Sequence, residues 1–159
     1  MHYAYRYVKY GPAFTSAPGL RPPGALSPGS DEQLFANELA VDVGSCCHGW
    51  DGCDLPVFDH HFNRAGQFPS AAATVLLNAT ALQAVVNERM RQGGAGADAT
   101  IWLVTHREPD LDAFASMYLA RALLERRIPA AEVERVARCT SWPAPDTLEI
   151  RPLVTGEMG

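Results

Sequence analysis

Two short apolar runs in this chain each lead straight into a crowd of acid and imidazole side chains, and no other feature restricts the fold as strongly. Val57-Phe58 runs into Asp59-His60-His61, and Ile101-Trp102-Leu103-Val104 runs into His106, Asp110 and Asp112. In open α/β sheets the loops at the carboxyl ends of the strands converge, and ligands gather there. Leu39-Ala40-Val41-Asp42-Val43-Gly44 adds a third strand end with a carboxylate. Three such ends can surround divalent cations with hard oxygens and imidazoles. The share of carboxylates favours Mn²⁺ or Mg²⁺ over Zn²⁺.

The segments between these runs supply the helices that such a sheet requires. Over 70–91, Ala72, Val75, Leu76, Ala79, Leu82, Val86 and Met90 recur at three and four residues, the stripe of a helix lying on a sheet, with Ser70 as its N-cap. Gly93-Gly94-Ala95-Gly96 ends it; no strand leads into this glycine run, so it reads as a turn and not as a phosphate cradle. A strand over 100–104 and a helix over 111–127 follow. That helix is apolar around most of its girth, which predicts burial beside a parallel sheet, and Trp102 and Phe114 read as core. The alternation of strand and helix predicts an α/β fold, a three-layer sandwich with a mostly parallel central sheet flanked by helices.

The ends of the chain have a different composition. Pro12, Pro18, Pro22, Pro23 and Pro28 block helices and strand ladders, so 1–30 reads as a leader or loop, with Tyr3, Tyr5, Tyr7 and Tyr10 on a half-exposed strand or arm. Residues 31–140 form the expected α/β domain. Residues 141–159 read as an irregular tail, consistent with truncation, in which 148–150 could add an edge strand.

A chain of 159 residues can bury one core, and 47% hydrophobic with 19% charged residues is a globular balance. The net charge of -5 argues against strong nonspecific binding to duplex nucleic acid. No stretch reaches the length of a membrane helix, and the first residues lack a secretory apolar core, so the cytosol is the expected compartment. Four cysteines then read as reduced thiols. A zinc site built from Cys46, Cys47, His48, Cys53 and Cys139 competes weakly, because the spacing is irregular and lacks a CxxC pair.

The acidic clusters have plain alternatives as well. Asp110 could merely cap a helix beside a surface His106, and Asp59-His60-His61 could be an exposed polar turn. Buried without a cation or hydrogen-bond partners, the latter cluster would be costly.

The residues also resemble a known family. Val104-Thr105-His106-Arg107-Glu108-Pro109-Asp110-Leu111-Asp112-Ala113, with Ser116, is similar to motif I of the DHH phosphoesterase superfamily; Phe58-Asp59-His60-His61 resembles its motif III, and Val41-Asp42-Val43-Gly44 its motif II. Pro69-Ser70-Ala71-Ala72-Ala73 looks like the small-residue helix start that follows motif III. The resemblance spans 39–127. It implies two Mn²⁺ or Mg²⁺ ions, with His106 and Asp110 on one, Asp112 and His60 on the other, and Asp42 bridging them. Asp59 would orient or join the cluster as a further metal ligand, and His61 would face the phosphate or its leaving group, which makes His61 and Asp59 the catalytic pair. It implies hydrolysis by a metal-activated water without a covalent intermediate.

Three departures from the family's pattern accompany the resemblance. Motif I follows motifs II and III, as in a circular permutation. The family's fourth aspartate has no clear counterpart, Asp146 being the nearest, and its C-terminal substrate domain is missing. The expected function is hydrolysis of a phosphate ester, phosphodiester or short nucleotide, with a phosphorylated small molecule or short oligonucleotide as partner and no membrane. A non-catalytic or incomplete domain that binds metal or a phosphorylated ligand is the alternative, and a homo-oligomer is open.

Overall fold

A computed structural model describes residues 1–9, 11–23, 32–50, 52–61 and 69–140. The chain has an α/β fold whose main sheet contains β1 (His2–Val8), β4 (Glu38–Val41), β5 (Val57–Phe58) and β6 (Thr100–His106) in the order β1-β6-β4-β5, every ladder parallel. β6 is the longest apolar strand and pairs on both sides, as its run of Ile, Trp, Leu and Val suits. A second, two-stranded sheet joins β2 (Thr15–Ser16) to β3 (Gln33–Leu34).

Side-chain alternation splits the core in two. Leu39, Val41, Ile101 and Leu103 meet α1 (Ala71–Leu77), α2 (Ala79–Gln92), α3 (Leu111–Leu124) and α4 (Ala130–Cys139) through Val75, Leu82, Val86, Met117, Leu123 and Ala130. Val8, Ala40, Val57 and Val104 form the opposite face, where among the described residues the cover is Phe14 and Leu34 and not a helix.

Several expectations are corrected in detail. The leader assigned to 1–30 begins as a strand of the sheet: His2–Val8 pairs in register with Thr100–His106, and the segment after it hydrogen-bonds to β3 through Ala17 N–H and Leu34 C=O at 2.8 Å. The tyrosine alternation was the strand signal; proline density nearby hid its place in the sheet. The single helix over 70–91 is two, broken at Asn78, whose φ of -122° and ψ of 25° leave the helical region while its side-chain amide donates to Thr74 C=O at 2.8 Å. α3 is not buried all round: Leu111, Phe114 and Tyr118 are exposed, beside Tyr5 and Tyr7 of the edge strand, and Phe114 is therefore not core. α4 was not anticipated; its apolar residues are small and interspersed with charged ones, and only Ala130 and Ala137 are buried. The 148–150 strand lies outside the described residues.

One buried charge cluster ties the N-terminal segments to the sheet. Glu38, on β4 within the main sheet and fully buried, accepts from Arg6 Nη2 at 3.2 Å, from Arg21, and from Phe35 N–H at 2.9 Å. Removing the carboxylate takes the counter-charge from two largely buried guanidinium groups. Glu38→Ala is expected to lower unfolding free energy by about 3–5 kcal/mol in urea titration; a change below about 1 kcal/mol would show the cluster to be well solvated.

Candidate metal centre

The strand order decides what meets at the carboxyl rim. β4 lies between β6 and β5, so the residue that leaves β4, Asp42, stands between those that leave its two neighbours. Asp42 has a φ of 54°, in the left-handed region that a short polar side chain tolerates better than most. Gly44 follows at a φ of 134°, and a Cβ there would come 2.9 Å from Val57, so the chain turns sharply where only glycine fits.

The Asp42 carboxylate is 1% exposed. Its Oδ2 lies 3.2 Å from His106 Nε2, and its Oδ1 lies 3.4 Å from His60 Nε2 and 3.6 Å from His61 Nδ1. The last two approaches are long for hydrogen bonds, and Oδ1 is a buried oxygen with no hydrogen-bond partner. Asp42 belongs to two sets of potential ligand atoms, one with His60 and His61 and one with His106 and Asp110, and within each set the atoms lie within 4.8 Å of one another. An orphaned carboxylate oxygen among imidazoles, with a second carboxylate nearby, is a donor set suited to divalent cations.

The supporting residues are held by their helices. Asp110 is the N-cap of α3 and accepts from Ala113 N–H at 3.0 Å, so one residue starts the helix and presents a carboxylate to the rim. Asp112 lies 3.4 Å from His60 Nε2, yet its oxygens accept from Ala71 N–H at 2.7 Å and Ala72 N–H at 3.0 Å. It therefore bolts the start of α1 to α3 and stands beside, not within, either ligand set. His61 takes the place beside His60 that the resemblance implied for Asp112.

Asp59 is fully buried and accepts from His61 Nδ1 at 2.7 Å and from the His61 N–H at 3.2 Å. It orients His61 and stands outside both ligand sets. Burial pushes its carboxyl above the usual range, partly offset by His61 and His60. Burial alone would depress His60, but Asp42, then the charges of Asp112 and Asp59, outweigh it and raise the imidazole above its ordinary value.

Thus Asp42, His60, His61, His106 and Asp110 come together, with Asp59 and Asp112 bracing them. Among the described residues no cysteine belongs to a close ligand set, and the four cysteines are free thiols. Asp146 lies outside the described residues. Sequence reasoning missed Lys9 and Arg107, which with His106 and Glu108 line a cavity of about 440 Å³ beside the cluster. The signal was the pairing of β1 with β6: Val8 lies against His106, so the residues after each strand share one rim. No family model, curated protein or solved structure matches the chain.

Mn²⁺ at a hundredfold excess over its dissociation constant is expected to stabilise the fold by about 2.7 kcal/mol. Asp42→Asn, which keeps a left-handed-tolerant side chain, should abolish the gain. In the metal-free protein the raised His60 value means that its contribution is full below the unfolded imidazole value and is lost as pH rises through the folded one. A ligating imidazole must be neutral, so the Mn²⁺ increment runs the other way: it is lost as pH falls, beginning above the ordinary histidine value. Thermal melts across pH 5–8, with Mn²⁺ and with chelator, check both signs; equal melts throughout would contradict the site.

Proposed function

We propose that this chain is a metal-dependent hydrolase of phosphate esters, with a phosphodiester or short nucleotide as substrate, resembling the DHH phosphoesterases. The observation that carries the reading is the buried Asp42 carboxylate, shared between two ligand sets and left with an unpaired oxygen. It is supported by the arrival of all three motif-like segments at one end of one sheet despite their order in the chain. Strand ends on a common rim are indifferent to where the polypeptide begins.

Two divalent ions, Mn²⁺ or Mg²⁺, when bound there would neutralise phosphoryl oxygens and make a water nucleophilic near neutral pH. The protein's own groups then divide the remaining work. Asp59, accepting at Nδ1, fixes the His61 ring, the carboxylate–imidazole pairing that orients a histidine beside a cation. Lys9 and Arg107 bring positive charge to the cavity that opens beside His106, where Glu108 also lies and a substrate phosphate would need a counter-charge.

One observation favours the alternative of a non-catalytic metal- or phosphate-binding domain. The Asp112 carboxylate, a ligand by resemblance, is already engaged by the first N–H groups of α1. Turnover decides between the two. With Mn²⁺, the protein is expected to release nitrophenolate from bis(p-nitrophenyl) phosphate or mononucleotides from short oligonucleotides, and chelator should stop it. Asp59→Asn should lower kcat/KM by about 10–100-fold, the usual effect of losing a ligand's or base's orienting partner. Mn²⁺ binding without turnover of any diester, monoester or pyrophosphate would establish the non-catalytic reading.

A further inference from the structure

Between β4 and β5 the chain makes a tight reversal that brings two thiols together. Trp50 N–H donates to Cys47 C=O, Cys53 N–H to Trp50 C=O and Gly49 N–H to Cys53 C=O, each at 2.9 Å. Gly49 and Gly52, at φ of 80° and 79°, make that path possible. Cys46 and Cys53, both half-buried, pack with Leu55 on the same small apolar cluster, where Cys53 Sγ lies 3.9 Å from Leu55 C=O and each thiol is the neighbour that most affects the other's acidity. Cys47 is different: it is buried in the cluster on the helical face of the sheet and joins Phe58 in an antiparallel bridge. Cys139 is exposed at the end of α4. Adjacent in sequence, Cys46 and Cys47 therefore serve opposite faces, and the partner on Cys46's own side is Cys53.

We propose that Cys46 and Cys53 form a redox dithiol that a peroxide closes into an intramolecular disulfide. The Cys53 thiolate attacks a peroxide oxygen; the O–O bond breaks, one proton is taken up and water leaves, giving a sulfenic acid. The Cys46 sulfur then attacks the Cys53 sulfur, and its proton departs with the hydroxyl as a second water. Two thiols lose two electrons in all, and the peroxide gains them; an external dithiol reverses the change. The direction of attack follows the pairing. The neighbouring Cys46 side chain brings the Cys53 thiol down to about 7 while Cys53 raises that of Cys46, whereas burial first, then neighbouring charge, holds Cys47 up at about 12.

Peptide mapping of the full chain tests this. The reduced protein is treated with hydrogen peroxide, alkylated and digested, and its thiols are counted under denaturing conditions. Free thiols are expected to fall from four to two, with a Cys46–Cys53 cross-linked peptide that dithiothreitol removes and with Cys47 and Cys139 alkylated. In Cys46→Ser the cross-link should be lost and Cys53 should be trapped by dimedone as sulfenic acid. Retention of four free thiols, or a cross-link made chiefly through Cys47 or Cys139, would overturn the assignment; the wild-type map alone is decisive if the variant fails to fold.

Discussion

The Asp42 carboxylate, held out of water at the end of β4 with one oxygen unpaired, is the constraint around which the rest of the rim is arranged. Burying such a group is costly unless charge or hydrogen bonds compensate it. Here the compensation comes from imidazoles on both sides, His106 at the end of β6 and His60 and His61 in the turn that follows β5. The distances to His60 and His61 exceed ordinary hydrogen bonds, which leaves room among the donors for a cation to serve them better than they serve each other.

That position is a consequence of topology. Strand β6 is central to the sheet and β4 follows it, so the second and third clusters in the sequence end up on either side of the first. The helices then lock the rim from outside. Asp110 starts α3 and Asp112, two residues later, fixes the start of α1, so the acidic loop after β6 organises two helices while it presents a carboxylate. The N-terminal strand contributes the far wall, with Lys9 next to Arg107, and Glu38 holds the N-terminal segments against the sheet through Arg6 and Arg21.

Much of this was legible in the residues because it rests on local pattern. Apolar runs followed by dense acid and imidazole marked three strand ends, and the stripe over 70–91 marked the helical cover. What escaped was set by tertiary contact. The break at Asn78 depends on a side-chain bond to Thr74. The exposure of Phe114 and Tyr118 depends on α3 packing through its small residues, with the aromatic side left beside an edge strand. The sheet membership of His2–Val8 was masked by the prolines that follow it, and with it went any view of Lys9. Asp112 shows the limit of spacing: two aspartates at i and i+2 suggested a divided ligand set, but the second one is taken by the backbone of another helix.

A low-temperature electron paramagnetic resonance spectrum of the Mn²⁺-loaded protein would report directly on whether one carboxylate serves two ions. A shared Asp42 requires neighbouring ions close enough for exchange coupling, and a spin-coupled manganese pair is the expected spectrum. An isolated-ion spectrum at every loading, or no bound manganese at all, would contradict a centre built on that residue.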